Sequence, residues 1–312
     1  MKQENKHLTN FLIVLIFLGF VAVLNWSGHK KIEQETACRE MKTILSQNLL
    51  NSISGRLLAH AISVSNLTRE EPLYTENDTL PLPLASLTKL MTVRVALKSV
   101  SLNDSYQVKP ADIVFDKGSG FVAGDKYSVR DIVKATLIAS SNNAAMMLAR
   151  STKLDPLHFI SLMNFEAQNL HLSTLHYDSV SGLDTDTNQP TATGSARDVL
   201  ALLYKDALDN PEVFSFGTIP NTTIRSENGR SISLANTDQA LDKLPLLKAS
   251  KTGYTDTAGG NLAILWQNQA GDTLGAVVLG STVAGRFSDM ITLYNAVNIY
   301  STAENGLQKT CK

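Results

Sequence analysis

Three apolar runs near the end of the sequence constrain the fold more than any other feature. Short polar turns separate them, and they read "LLKASKTG", "GNLAILWQ" and "TLGAVVLG". Runs of this length, bounded by turn residues, are typical of strands, and short connections favour antiparallel pairing. The sequence therefore predicts an antiparallel meander over residues 246–280. Two shorter strand-like runs, "RLLAHAISVS" and "PLY", lie between residues 56 and 74.

Most of the remaining chain has the hydrophobic period of helices. This period predicts helices over residues 33–52, 86–99, 128–140, 143–152, 156–170, 195–208 and 285–300. The two prolines of "LPLPL" lack backbone donors and predict a loop before the second helix. The order of elements predicts an α/β chain, in which an antiparallel sheet lobe built from both ends of the sequence is combined with an inserted helical lobe.

Composition and charge exclude several classes of function. The 312 residues carry a formal net charge of −1, which gives no electrostatic reason to expect a nucleic-acid partner. The six histidines form no HExxH pattern and the two cysteines no CxxC pair, so no metal site is predicted. The glycine-rich pattern of phosphate-binding loops is absent as well, and we expect no cofactor.

A long uncharged segment lies near the N-terminus. Residues 11–26, "FLIVLIFLGFVAVLNW", follow the polar residues 1–10, and the uncharged stretch over residues 8–27 is about as long as a bilayer span. No pair of small residues typical of signal-peptide cleavage follows, so a retained anchor is favoured and a signal peptide remains the alternative. We expect a cytoplasmic segment 1–10, a transmembrane segment 11–26 and a folded domain over residues 33–312.

A serine and a lysine in "PLASLTKLMT" indicate nucleophilic catalysis. Ser86 and Lys89 stand three residues apart, so a helix presents both side chains on one face. Lys89 lies in an apolar run, where packing alone gives no reason for a lysine. A serine hydroxyl is a weak nucleophile until a base takes its proton, and a desolvated amine beside it is a suitable base. The pair alone is not specific, because this spacing is common in helices.

Two further motifs make the pattern specific. Ser140 and Asn142 lie in the polar break "SSNN" between two predicted helices, and "KTG", residues 251–253, lies on a predicted strand. Lys251 offers a cation and Thr252 a hydroxyl to a substrate carboxylate, while the glycine lets a ligand approach the backbone. The order S-x-x-K, S-x-N, K-T-G is found in serine enzymes that react with penicillin.

The sequence resembles the serine-type D-alanyl-D-alanine carboxypeptidase and endopeptidase family, the low-molecular-mass penicillin-binding proteins. The similar segments extend over about residues 56–300 and include "GDKYSVRDIVKATLIASSNNAA" and "AVVLGSTVAGRFSDM". The resemblance implies the penicillin-recognising serine transpeptidase or β-lactamase-like fold. It also implies a peptidoglycan pentapeptide or cross-linked muropeptide as substrate, β-lactams as covalent inhibitors, and a periplasmic domain attached to the inner membrane by the N-terminal anchor.

The resemblance also implies roles for the residues of the first two motifs. Ser86 resembles the nucleophile that is acylated, and Lys89 resembles its base. Ser140 resembles the hydroxyl that relays protons between lysine and leaving group. Asn142 resembles the amide that orients the substrate backbone.

The third motif resembles the strand that binds the substrate carboxylate. Lys251 and Thr252 correspond to its polar side chains, and Gly253 to the glycine that follows them. The backbone N–H groups of Ser86 and Tyr254 resemble an oxyanion hole, which stabilises negative charge as it develops.

Some positions depart from the residue pattern that is usual in the family. Asn143 stands where the family usually has an aspartate, and "KAS" precedes Lys251 where a glycine and an aliphatic residue are common.

In the resembled fold the first and last helices lie side by side, which implies that Cys38 and Cys311 can form a disulfide. Two free thiols remain the alternative.

The residues leave alternative functions open. Carboxypeptidase and endopeptidase activity are not distinguished by the motifs. A class A-like β-lactamase would need a glutamate that activates water, but Glu166, in "NFEAQNL", lacks the E-x-x-L-N order and is interpreted as a solvent-facing helix residue. A peptidoglycan-binding or regulatory module without turnover is the third hypothesis, which the three intact motifs disfavour.

Overall fold

The structure describes most of the chain after the N-terminal segment. The described residues of this computed structural model are 31, 33–53, 55–113 and 118–311. The expected cytoplasmic segment 1–10 and transmembrane segment 11–26 lie outside these ranges. Within them, no helix combines the length and the apolar character that a membrane span requires.

The described ranges contain eight α-helices and twelve strands. The helices are α1 (33–53), α2 (Thr88–Leu97), α3 (Val129–Leu137), α4 (Asn142–Ser151), α5 (Pro156–Asn169), α6 (Ala196–Asp209), α7 (Pro211–Ser215) and α8 (Gly285–Thr310). The strands are β1 (Ala61–Asn66), β2 (Glu71–Glu76), β3 (Leu82–Pro83), β4 (Ser105–Gln107), β5 (Lys126–Ser128), β6 (His176–Tyr177), β7 (Ala192–Gly194), β8 (Asn221–Arg225), β9 (Ser231–Ala235), β10 (Leu247–Thr255), β11 (Gly259–Gln267) and β12 (Thr273–Ser281). All seven predicted helices are present.

The main sheet has five antiparallel strands in the order β10-β11-β12-β1-β2. Strands from the end of the sequence therefore pair directly with strands from its beginning, and α2 to α7 lie in the chain between them. This confirms the predicted meander and the sheet assembled from both ends. Strand β10 is one edge of this sheet, so one side of its backbone is left without a strand neighbour.

Helices cover both faces of the sheet. On one face Leu265 pairs with Gly275, and a Cβ at Gly275 would lie 2.6 Å from Leu200 Cδ1 of α6. On the other face the ring of Trp266 packs 5.1 Å from that of Tyr294 of α8. Because both faces are buried, β11 and β12 are apolar along most of their length rather than alternating.

Helix α2 is buried along nearly its whole length, from Thr88 to Ala96. It carries two buried basic residues, Lys89 and Arg94. A buried charge is costly unless it is paired and hydrogen-bonded. The Arg94 guanidinium is paired in this way: its Nε lies 2.7 Å from Glu166 Oε1 and its Nη1 lies 3.0 Å from Asp206 Oδ1.

Glu166 is buried rather than solvent-facing, so its interpretation from the sequence was wrong. Its carboxylate accepts hydrogen bonds from Arg94 and Lys98. Burial alone would raise the pKa of Glu166, but these two hydrogen bonds outweigh it and the pKa is lowered. Asp206 is buried more deeply, and burial raises the pKa of its carboxyl group well above the usual range.

Several short elements differ from the sequence prediction. The "LPLPL" segment is not entirely loop, because Leu82–Pro83 pairs with Thr193 and Gly194 as the edge of a three-stranded sheet. An edge position suits a proline, since it requires no backbone donor. The hairpin of β8 and β9 was not predicted, and α8 continues to Thr310, ten residues past its predicted end.

The described chain divides into two compact units. One comprises Ser52–Asn298, and the other joins the described residues before Ser52 to the segment from Ile299. Within the smaller unit, Cys38 and Cys311 form a disulfide with a Cα–Cα distance of 6.1 Å. The disulfide is thus confirmed over the alternative of two free thiols.

We expect loss of this disulfide to lower the free energy of unfolding. The bond joins residues 273 positions apart, and the chain-entropy model gives such a loop a stabilisation of about 5 kcal/mol, less any strain. Urea unfolding of wild type and of Cys38→Ala, Cys311→Ala and double variants measures the effect. The two single variants and the double should be equally destabilised, because each lacks the same bond. Two alkylated thiols per chain in denatured, unreduced wild type would contradict the assignment.

Candidate active site

The loop before α2 is attached to the main sheet by a buried asparagine. Asn261 of β11 donates from Nδ2 to the carbonyl oxygens of Pro83 and Leu84, at 3.0 and 3.1 Å. Its Oδ1 accepts from the backbone N–H of Gly280 at 2.8 Å. Ser86 follows in a 3-10 turn that leads directly into α2, so its backbone position relative to the sheet is fixed.

Lys89 has a polar environment inside an otherwise apolar helix. Its side chain is fully buried, and Nζ lies 2.6 Å from Ser86 Oγ, 2.7 Å from Asn142 Oδ1 and 3.0 Å from the carbonyl oxygen of Ser181. These partners come from three different segments of the chain. An amine held this close to a hydroxyl can accept its proton, which is the geometry of an activated serine nucleophile.

A glycine lets the loop that carries Ser181 approach the turn at Ser86. Gly182 has φ +76°, and a Cβ there would lie 1.9 Å from the Ala85 carbonyl oxygen and 2.4 Å from Thr88 Oγ1. A side chain would therefore be strained by its backbone conformation and would also collide with the turn. Because Gly182 has no side chain, the Ser181 carbonyl oxygen can reach Lys89 Nζ.

The "SSNN" segment is a tight turn between α3 and α4. Ser140 has φ +55°, an uncommon conformation for a residue with a side chain. Ser141 caps α4 by accepting a hydrogen bond from the Ala144 N–H at 3.2 Å. Asn142 is the first residue of α4, and this places its amide next to Lys89.

Strand β10 brings a second lysine to the site. Lys251 is almost completely buried, and its Nζ donates to Ser140 Oγ and to the Thr252 carbonyl oxygen, both at 2.8 Å. Burial lowers the pKa of Lys251 well below its usual value, and the nearby cations Lys89 and Arg286 lower it further. The Thr252 hydroxyl lies 2.5 Å from that of Thr237.

Gly253 lets β10 pack against the turn that carries Ser86. A Cβ at this position would lie 2.8 Å from the Leu84 carbonyl oxygen and 3.3 Å from the Ser86 backbone nitrogen. The strand therefore runs directly beside the Ser86 N–H. The next residue, Tyr254, is exposed, and its hydroxyl donates to Asp256 at 2.8 Å.

Two buried charged residues near the site were missed in the sequence. Arg286, at the start of α8, donates from Nη1 to the Gly253 carbonyl oxygen at 2.8 Å, while its buried Nε has no hydrogen-bond partner in the described part of the chain. Burial lowers the pKa of Arg286. Asp238 accepts from Ser250 at 2.6 Å, and burial raises its pKa. Neither residue belongs to a recognisable spacing pattern. The only sequence signal for them was the similarity of the surrounding segments to the family.

Asn143 is a structural residue at the position where the family usually has an aspartate. Its side chain is fully buried, and Nδ2 donates to Ser119 Oγ at 3.0 Å. The amide thus connects the start of α4 to the loop around residues 118–121. Among the described residues, no group of three or more His, Cys, Asp or Glu side chains is arranged to hold a metal ion.

Comparison with known proteins gives consistent matches. Residues 57–283 match the model of a family described as D-alanyl-D-alanine carboxypeptidase. D-alanyl-D-alanine carboxypeptidase DacD of Escherichia coli is 32% identical over 194 residues, which cover 57% of this chain and 47% of that protein. The D-alanyl-D-alanine endopeptidase of Pseudomonas aeruginosa is 29% identical over 212 residues, 66% of each chain. The chain therefore spans about half to two thirds of these relatives.

A solved structure is similar over most of the chain. Penicillin-binding protein D2 of Listeria monocytogenes, in its ampicillin-bound form, aligns with a TM-score of 0.65 at 28% identity. The alignment covers 78% of this chain and 98% of that one. The architecture is therefore that of a penicillin-binding protein.

We expect Gly182→Ala to reduce both thermal stability and the reactivity of Ser86. The new methyl group must displace the Ala85 carbonyl or the Ser181 loop, and either movement disturbs Lys89. Gly124→Ala is the matched control, because Gly124 has φ +94° but a Cβ there meets nothing within 4 Å. The control should cost only about 1–2 kcal/mol of backbone strain. Melting temperature and the rate of labelling by a fluorescent penicillin measure both effects, and equal losses in the two variants would contradict this role of Gly182.

Proposed function

This chain belongs to the D-alanyl-D-alanine carboxypeptidase family, and we propose that it is a serine D,D-peptidase of peptidoglycan metabolism that forms an acyl-enzyme on Ser86. The observation that carries the proposal is the 2.6 Å contact between Lys89 Nζ and Ser86 Oγ, in a site that also contains the Lys251–Ser140 pair. Its substrates are pentapeptides that end in D-Ala-D-Ala or cross-linked muropeptides, and β-lactams inhibit it covalently.

Acylation begins when Ser86 Oγ attacks the carbonyl carbon of the D-Ala residue. Lys89 takes the hydroxyl proton as the new bond forms. The negative charge that develops on the carbonyl oxygen is stabilised by the backbone N–H groups of Ser86 and Tyr254. This oxyanion hole is supported by the close approach of Gly253 to the Ser86 nitrogen.

The leaving amine receives its proton through Ser140. Ser140 Oγ is held by Lys251 Nζ, and its hydroxyl gives its proton to the departing nitrogen. Ser140 takes up in return the proton that Lys89 accepted from Ser86, which leaves Lys89 neutral again. Asn142 orients the substrate backbone, and its side-chain oxygen also positions Lys89. Water then attacks the acyl carbon while Lys89 takes its proton, the ester bond to Ser86 Oγ breaks, and Lys89 returns the proton to that oxygen.

The substrate carboxylate is bound by the cationic end of β10. Lys251, Thr252 and Arg286 supply two cations and a hydroxyl beside the backbone of Gly253. Arg286 is held beside this strand by the hydrogen bond from Nη1 to the Gly253 carbonyl oxygen, at 2.8 Å. Because the pKa of Lys251 is lowered in the free protein, an incoming carboxylate favours its protonated form again.

The two alternative functions fit the site less well. The glutamate that a class A-like β-lactamase would use to activate water is engaged elsewhere, since Glu166 pairs with Arg94 and Lys98. A module that only binds peptidoglycan would have no use for a buried lysine on a serine hydroxyl, because burying that amine is costly. Turnover by Ser86 and Lys89 is therefore the function that the geometry favours.

We propose that the folded domain lies outside the inner membrane, where the apolar segment 11–26 anchors it. Disulfides persist mainly in oxidising compartments, and the Cys38–Cys311 bond supports a periplasmic location. The anchor rests on the length of the uncharged run and on the missing cleavage pattern.

We expect Ser86→Ala to abolish covalent labelling by a fluorescent penicillin and to lower D-alanine release from a pentapeptide by roughly a thousandfold or more. Its matched control is Ser161→Ala, an exposed serine of α5, which should leave both measurements unchanged. Release of D-alanine from the pentapeptide and cleavage of a cross-linked dimer are followed by product analysis. Labelling of Ser86→Ala at the wild-type rate would refute the assignment of the nucleophile.

In the same assay, Lys89→Arg separates the positive charge of the lysine from its ability to accept a proton. Arginine keeps a positive charge but does not lose a proton at working pH, so it cannot act as base. We therefore expect little acylation in this variant. Near-normal acylation would mean that Lys89 acts only through its charge.

We expect the protein purified from native membranes to begin before residue 27. The uncharged run would then remain attached, and detergent rather than salt would be needed for extraction. N-terminal sequencing of the membrane fraction provides the measurement. A mature chain that starts after residue 27 would show that the segment is a signal peptide.

A further inference from the structure

A pocket of about 290 Å³ lies between helices α4 and α5 and the loop at residues 178–184. Its apolar walls include Met146, Ala149, Phe159, Ile160, Val180 and Leu183. We propose that this pocket is a second binding site, separate from the cleft at Ser86, for a small molecule with an apolar body and a single cationic end. The proposal goes beyond peptide cleavage and does not rest on the proposed function.

The pocket is connected to the cleft by one loop. The residues that the structure describes in its walls include no member of the three catalytic motifs. They do include Ser181, whose carbonyl oxygen accepts a hydrogen bond from Lys89 Nζ at 3.0 Å, and Val180, whose carbonyl oxygen accepts from Thr92 Oγ1 at 2.7 Å. A ligand in the pocket therefore packs against the loop that contacts Lys89 without occupying the place of the substrate. Because it binds this position of the loop, it also favours it.

The volume of the pocket fits a small molecule rather than a protein segment. An apolar cavity of about 150 Å³ is enough to bind benzene, and the smallest ligand pockets of proteins measure about 300 Å³. At about 290 Å³ the pocket holds one aromatic ring with a short substituent. Transfer of that ring from water to walls such as the fully buried Phe159 supplies the main driving force for binding.

Two hydroxyl groups in the walls are already paired. Ser179 Oγ lies 2.7 Å from Thr191 Oγ1 and accepts from the Gly182 N–H at 2.9 Å. Thr191 Oγ1 in turn donates to the Leu183 carbonyl oxygen at 2.5 Å. An apolar ligand body therefore leaves neither hydroxyl without a partner. The same hydrogen bonds hold the loop in the shape that forms the pocket.

The charged part of the lining has an excess of negative charge. The ionisable side chains that the structure describes there are Arg150, Asp178 and Asp184. Arg150 is already paired, because its Nη1 lies 2.7 Å from Oδ1 of Asp112, a fully buried carboxylate outside the lining. Two carboxylates therefore set the sign of the charge that a ligand meets.

These two carboxylates favour a ligand with an ammonium group. Asp184 Oδ2 accepts the Thr257 backbone N–H at 3.2 Å, a contact that brings no opposite charge. Asp178 is mostly exposed, and its Oδ1 lies 3.2 Å from His176 Nε2. A carboxylate can accept further hydrogen bonds, and an ammonium group offers three donors. An anionic ligand of the same shape would be repelled.

The first experiment compares three ligands that share one ring, namely phenethylammonium, phenethyl alcohol and hydrocinnamate. Ligand-observed NMR titration of the wild-type protein gives their affinities. We expect phenethylammonium to bind at least about fivefold more tightly than phenethyl alcohol, the scale of two partly exposed charge pairs, and hydrocinnamate to bind most weakly. Phenethylammonium should also raise the melting temperature, because it binds the folded state. Equal affinities, or tightest binding of hydrocinnamate, would overturn the proposal.

Two pairs of variants locate the site. We expect Asp184→Asn to weaken phenethylammonium binding by at least about twofold and to leave phenethyl alcohol binding unchanged. Its control is Asp186→Asn, an exposed residue of the same loop outside the lining. Ile160→Trp fills the pocket from α5 and should weaken both ligands by at least about tenfold. Leu157→Trp adds the same ring to the exposed side of α5 and should change neither affinity.

Binding to protein that carries a penicillin on Ser86 separates the pocket from the cleft. Phenethylammonium should bind this acylated protein as it binds the unmodified protein. Loss of binding on acylation would place the ligand in the cleft and overturn the proposal, and so would unchanged binding in a folded Ile160→Trp variant. If that variant does not fold, unchanged binding in Asp184→Asn has the same meaning. Failure of penicillin to acylate Ser86 would count against the proposed function alone, since the titrations do not require it.

Discussion

The hydrogen bonding of the buried Lys89 amino group is the interaction on which the site depends. It connects Ser86 before α2, Asn142 at the start of α4, and the Ser181 carbonyl of a loop. A buried amine without hydrogen-bond partners would be destabilising, so the fold is more stable when these three segments stay in contact with it. The same contacts hold the amine 2.6 Å from the hydroxyl of Ser86, the proposed nucleophile. The proposed catalysis and the local structure therefore both depend on one side chain.

Part of the backbone strain in the described residues lies at the site. Ala85 and Ser140 adopt positive φ angles of 48° and 55° although both carry side chains, and Gly182 lies between the turn and the loop at 76°. Such conformations cost about 1–3 kcal/mol each and persist where the surroundings determine them. The hydrogen bonds of Asn261 to the loop before α2 provide part of that constraint. The fold thus holds a reactive geometry that an isolated segment would not adopt.

The features that could be predicted from the sequence are those set by residues close together in the chain. Ser86 and Lys89 are three residues apart on one helix, so their contact follows from helical geometry, and the strands of the meander follow from their apolar runs. Arg286 and Asn261 act on carbonyl groups 33 and 178 residues away, and no local pattern marks them. Glu166 was misjudged for the same reason, because the Arg94 that buries it is 72 residues distant. Helical period alone does not show which neighbouring helix will cover an acidic side chain.

The disulfide also determines how the chain responds to mechanical force. Cys38 and Cys311 are joined directly, and every residue of the candidate site lies between them in the sequence. Tension applied before residue 38 and after residue 311 passes through one covalent bond and does not stretch the intervening segment. A pull on the two ends of the chain is therefore not converted into unfolding of the segment between the cysteines. Reduction of that single bond would put the whole folded chain in series with the load.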